Sequence, residues 1–153
     1  LKKFIVDSNV PLIATGQIGE AWAVVILDEI AKKNVQGLTD VFFLQEILDR
    51  FYFLNESYKG KKLCKAFRKI IGTTLPVTVQ NFELSYELFK KSQARPRDLI
   101  HAAVMLESGV TDIFSVDGPE FDLIEGINPI HLPHLLQSLQ LKGHYIDERI
   151  KQK

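Results

Sequence analysis

The chain has one cysteine, one tryptophan and one methionine in 153 residues, and its 19 basic side chains are balanced by 19 acidic ones. The lone Cys64 excludes an internal disulfide and any zinc site built on thiolates. No apolar run approaches the roughly 18–20 residues that span a bilayer, and the N-terminus lacks the layout of a signal peptide. A cytoplasmic protein with no membrane partner is therefore expected. A net charge of zero gives no overall basic signature of nucleic-acid binding. A Gly-x-Ser-x-Gly elbow, a Walker loop and a glycine-rich dinucleotide turn are all missing, so no competing nucleophile or nucleotide site stands out. The four histidines, at 101, 131, 134 and 144, do not have the spacing of a zinc enzyme, and His131 with His134 is at most a weak metal candidate.

What is there reads as one soluble globular domain. The apolar fraction of 46% and charged fraction of 25% are ordinary, and the length suits a single core. Residues 1–141 are expected to form that domain, followed by a polar tail over 142–153. Lys3–Val6 reads as a short buried strand, and Asp7, Ser8 and Asn9 offer capping side chains just before Pro11. An amphipathic helix is expected over 19–33, a very short strand or connector at Gly37–Thr39, and a helix from Asp40 to about Leu54. A lysine-rich helix over 57–71 closes at Gly72, Pro76–Val79 is a strand candidate, and 81–91 is another helix. Pro96 opens a helix over 97–108 with Gly109 beyond its end, and Thr111–Val116 is the next strand. Ile127–Leu132 is a candidate edge strand, demoted by Pro129, and a short helix is expected at Pro133–Leu141. Strands alternating with helices predict an α/β fold of three layers, α/β/α, around a parallel sheet.

In such a fold, ligands bind beyond the carboxyl ends of the strands, where the strand order reverses. Asp7 and Asp117 each follow an apolar strand and would face that crevice. Each alone could be an ordinary polar loop or cap residue; two such positions together point to a site. Asp98 opens a helix that is apolar nearly all round, so its carboxylate starts from a buried element. His101, one turn on, is read as structural or supporting, with direct participation as the alternative. Glu46 shares a polar helix face with Gln45, Asp49 and Arg50, which solvent exposure alone would explain. Clustered carboxylates raise one another's pKa unless a cation neutralises them, and Mg2+ or Mn2+ prefers oxygen ligands. Lys59, Lys61, Lys62, Lys65, Arg68 and Lys69 form a basic run, either a solvated helix face or a contact for an RNA backbone. Lys90, Lys91, Arg95 and Arg97 crowd the approach to Asp98.

Four segments, in order, resemble the PIN domain, the ribonuclease fold that includes the VapC-type toxins of toxin–antitoxin pairs. They are Phe4-Ile5-Val6-Asp7-Ser8-Asn9-Val10, Leu44-Gln45-Glu46-Ile47-Leu48, the stretch from Arg97-Asp98 through His101 to Met105, and Phe114-Ser115-Val116-Asp117 followed by Phe121-Asp122. The resemblance covers about residues 3–133 and raises Glu46 to a site residue. It implies a parallel sheet of four or five strands, a homodimer and, for a toxin, a cognate antitoxin. It also implies Mg2+- or Mn2+-dependent endonucleolytic cleavage of single-stranded or structured RNA, leaving a 5′-phosphate and a 3′-hydroxyl. Asp7, Glu46, Asp98 and Asp117 match the four acidic metal-site residues, with Asn9 and Ser115 in support. Asp122 matches a frequent extra acid, for which a loop or turn role is expected. The long basic segment 55–75 and the tail 142–153 depart from the pattern. The alternative is a PIN-fold RNA-binding or scaffold module of low activity; a receiver-like acidic-pocket domain would want a lysine after a late strand that is missing here.

Overall fold

The structure, a computed structural model, describes residues 2–16, 21–116 and 118–130. Five parallel strands form one sheet in the order β3-β2-β1-β4-β5. They are β1 (Lys3–Val6), β2 (Gln36–Asp40), β3 (Thr73–Leu75), β4 (Asp112–Phe114) and β5 (Asn128–Pro129). The helices are α1 (Asn9–Ala14), α2 (Ala21–Ala31), α3 (Val41–Phe53), α4 (Ser57–Ile71), α5 (Val79–Phe89), α6 (Pro96–Ser108) and α7 (Gly118–Phe121).

Alternation along β1 gives the sheet two buried faces. Phe4 and Val6 join Val10, Ile26, Ile30, Phe67 and Ile71 on one side, so α1, α2 and α4 cover it. Ile5 joins Leu99, Ala102, Met105 and Phe121 on the other, under α6 and α7. The architecture is the three-layer α/β/α fold that the sequence predicts. The chain runs outward from β1 through β2 to β3, then returns to place β4 on the other side of β1. The strand order therefore reverses between β1 and β4, and their register Val6↔Phe114 aligns the ends from which Asp7 and Ser115 emerge.

Gly37–Thr39 proves to be the middle of a central strand rather than a connector. Its glycine packs closely there: a Cβ at Gly37 would lie 2.7 Å from Ile30 Cδ1 and 3.1 Å from Val6 Cγ2, so a larger residue would make those side chains shift. Pro76–Val79 is not a strand. The paired residues come earlier, with Leu38↔Thr73, Thr39↔Thr74 and Asp40↔Leu75 in register. Beyond Asp40 the neighbouring strand turns into α3, so residues after Leu75 have no backbone to pair with. Thr78 instead caps α5 through a reciprocal capping box with Asn81. The expected helix over 81–91 accordingly starts and ends two residues earlier. Pro129 lies in an edge strand of two residues, in keeping with its missing N–H. The expected helix at Pro133–Leu141, the tail, Asp117, and His131, His134 and His144 lie outside the described residues. Among those described, no helix is long and apolar enough to cross a membrane.

Candidate active site

Asp7 leaves β1 at the strand-order reversal, its N–H donating to the Phe114 carbonyl at 3.0 Å. Its carboxylate is enclosed by donors from its own loop and from the end of β4. The Ser8 hydroxyl donates to Oδ1 at 3.1 Å, the Asn9 N–H to Oδ1 at 3.2 Å, and the Ser115 hydroxyl to Oδ2 at 2.5 Å. Burial still dominates: it pushes the Asp7 pKa from 3.8 up to about 6, against the lowering effect of the Ser115 and Asn9 hydrogen bonds. Asn9 also donates its amide to the Ser115 hydroxyl at 3.2 Å. Asn9 Oδ1, by contrast, is buried with no hydrogen-bond partner among the described residues.

Glu46 reaches the same place from α3. The Ser8 hydroxyl lies 2.8 Å from Glu46 Oε2 and 3.1 Å from Asp7 Oδ1, so one hydroxyl stands between two carboxylates that are 39 residues apart. Oε1 faces cations, with His101 Nε2 and Arg97 Nη2 each at 3.1 Å. Partial burial would raise the Glu46 pKa, but hydrogen bonding and charge from His101, with Ser8 and Arg97, bring it below the usual value.

His101 is held on every side. Nδ1 lies 2.6 Å from Asp40 Oδ2, and the ring stacks on Phe43 with centroids 3.4 Å apart and planes 4° apart. Burial would lower its pKa, yet the Asp40 and Glu46 carboxylates together raise it from 6.5 to about 9. At neutral pH the ring is an imidazolium that donates from both nitrogens. His101 thus contacts Glu46 through Nε2 and is itself anchored through Nδ1 by Asp40. Asp40 also caps α3, accepting from the Phe43 N–H at 2.8 Å.

Asp98 is buried at the first turn of α6, where Arg95 Nε donates to its Oδ2 at 2.9 Å. With Asp7 and Glu46 it lines one groove of about 1370 Å³, which Arg50, Lys59, Lys62 and Arg97 line as well. Three of the four acids singled out in the sequence thus share one groove. Asp122 is exposed in the turn after α7, its N–H donating to the Gly118 carbonyl at 2.9 Å.

The basic run divides. Lys59 and Lys62 line the acid-lined groove, whereas Lys61, Lys65, Arg68 and Lys69 line a different concavity on α4. Sequence reasoning missed Ser8 as the bridge and Asp40 as the anchor of His101. The signal for Asp40 was available, because it closes β2 at the same carboxyl edge where Asp7 follows β1.

A divalent metal is implied by the resemblance. Among the described residues no group of three or more His, Cys, Asp or Glu side chains is arranged to hold one. The chemistry of those present fits a hard cation: the donors are oxygens, Asp7 is held in a position that resists ionisation, and Asn9 Oδ1 is buried without a partner.

No protein-family model matches the sequence, and no curated protein matches it. Solved structures do match the fold. VapBC2 from Rickettsia felis, bound to a DNA fragment from its promoter, aligns at TM-score 0.68 and 14% identity over 84% of this chain and 97% of that one. DNA-bound VapBC from Salmonella typhimurium aligns at 0.68 and 14% over 86% and 99%. Mycobacterium tuberculosis VapC20, a toxin that cleaves the sarcin–ricin loop, aligns at 0.55 and 18% over 75% and 90%. The chain has the PIN-like fold of these VapC-type proteins.

Proposed function

We propose that the protein is a metal-dependent endoribonuclease, acting in the cytoplasm as the toxin of a toxin–antitoxin pair. The observation that carries this reading is the single hydroxyl of Ser8 shared by Asp7 and Glu46, two carboxylates from distant elements at the strand-order reversal, with Asp98 in the same groove. Likeness in fold to VapC20 and the VapBC structures supports the substrate class and an antitoxin partner.

Asp7, Asp98, Glu46 and Asp117 would hold Mg2+ or Mn2+. Such an ion, when bound, lowers the pKa of a water and stabilises charge building on phosphorus. Asp7 supplies a carboxylate whose burial favours a counter-charge. Glu46, kept ionised by His101 and Arg97, presents Oε2 to complete the metal cage or to orient the attacking water. Ser8, Asn9 and Ser115 fix the rotamer of Asp7. Lys59 and Lys62, on the groove wall, contact RNA phosphates. Residues 1–141 act as one domain, and Val79, Phe82, Tyr86 and Phe89, each more than half exposed along α5, supply apolar surface for a homodimer.

Cleavage of RNA in Mn2+ tests the reading. Asp7→Asn and Asp98→Asn should abolish it while the protein stays folded. Either variant cutting RNA at the wild-type rate would overturn the mechanism, and calorimetry without Mn2+ or Mg2+ binding would favour a binding module of low activity instead.

A further inference from the structure

The outer flank of α4 carries a second concavity, of about 590 Å³. Lys61, Lys65, Arg68 and Lys69 line it, with Leu48 and Thr74 and no acid. The four cations recur at helical spacing, so they share one face, and all four are exposed. None is paired with a carboxylate of a described residue, whereas Lys2, Lys32, Lys59 and Lys90 each have one. Arg68 and Lys69 suit the C-terminal turn of the helix dipole, but Lys61 and Lys65 lie further up the helix and gain little from it. Lys61 with Lys65, and Lys65 with Lys69, are like charges four residues apart, a spacing at which they repel and weaken the helix. A bound polyanion would relieve that repulsion.

We propose that this flank of α4 binds the phosphate backbone of the nucleic acid beyond the segment seated at the carboxylates, so that a strand crossing α4 is gripped on both sides of the helix. The identity of the polyanion rests on the ribonuclease reading. Lys59 and Lys62 face the acid-lined groove from the same helix, which makes α4 a continuous path between the two surfaces. From Lys61 to Lys69 the face runs about 12 Å along the axis. That length is enough to contact more than one phosphate of a strand.

The test is fluorescence anisotropy with a labelled RNA of roughly 20 nucleotides in EDTA, titrated across about 50 to 300 mM KCl. Neutralising the face (Lys61→Gln, Lys65→Gln, Arg68→Gln, Lys69→Gln) should weaken binding about tenfold or more and reduce the slope of log K against log salt by about three. The double variant Lys61→Gln, Lys65→Gln keeps the two cations that favour the helix dipole; it should lose roughly half of that slope. Lys61→Arg with Lys65→Arg should bind as the wild type does. Wild-type affinity and slope in both neutralised variants would overturn the proposal. So would neutralisation that abolishes binding to vesicles rich in phosphatidylserine but leaves RNA affinity intact, since that result assigns the face to a membrane. Failure of the wild type to cleave RNA in Mn2+, with RNA binding that the neutralised variants lose, would instead reject the ribonuclease reading and retain this surface.

Discussion

Asp7 and Glu46 share a hydroxyl yet sit in opposite electrostatic settings. Asp7 is enclosed by neutral donors, and burial pushes its pKa to about 6. Glu46 is only partly buried and faces an imidazolium and a guanidinium, which hold its pKa below the usual value. A carboxylate whose burial outweighs the positive charge near it gains from a cation, while one already neutralised is kept ionised without it. The two acids therefore differ in what a cation would do for them: on the proposed reading Asp7 gains most from a bound metal ion, whereas Glu46 stays ionised without one.

The largest break in that pairing is Asp7→Asn, expected to lower RNA cleavage by roughly 10²–10³-fold or more, as removal of a key electrostatic partner does. Its effect on stability runs the other way. The folded pKa of Asp7 lies above its unfolded value, so its contribution is fully present below pH 3.8 and is lost as pH rises through about 6. At higher pH the metal-free fold carries an unfavourable ionised Asp7, on the order of 3 kcal/mol for a shift of about two pKa units. Metal-free Asp7→Asn should therefore melt above the wild type at about pH 7.5, with the gap closing near pH 4. Mn2+ should raise the melting temperature of the wild type and leave that of the variant in place; equal shifts in both would remove Asp7 from the metal site.

His101→Asn comes next. Removing a partner that orients a site carboxylate costs about 10–100-fold in activity. The folded pKa of His101 is also raised, so its contribution to stability is full below pH 6.5 and lost as pH rises through about 9. A wild-type melting curve that does not fall across that window, or a variant that falls as steeply, would show that the ring is not held as an imidazolium. Arg97→Gln should have the smallest effect. Arg97 is more than half exposed, and such pairs contribute about 0–1 kcal/mol. A modest rise in the apparent pKa of the rate profile, with little change in melting temperature, is the expected reading. A loss as large as that of His101→Asn would make Arg97 the principal partner of Glu46.

Much of this was legible in the chain. Apolar runs ending in Asp7 gave the position of β1 and of its acid, because a parallel sheet must bury its strands and open at their carboxyl ends. Pro96 and Gly109 bracketed α6 as backbone chemistry requires. Gly37–Thr39 and Pro76–Val79 were read less well, since strand identity depends on which backbone is available for pairing, and that backbone lies elsewhere in the sequence. The helical period placed Glu46 on a polar face and could not say whether that face met water or another acid.

By itself, the sequence determined the alternating α/β order and the acids at strand and helix ends, which follow from local pattern and composition. Tertiary structure alone decided that Ser8 joins Asp7 to Glu46, that Asp40 anchors His101, and that one basic run faces two surfaces. These are matters of distance between side chains on different elements, and of burial, which sets the charge each one can carry.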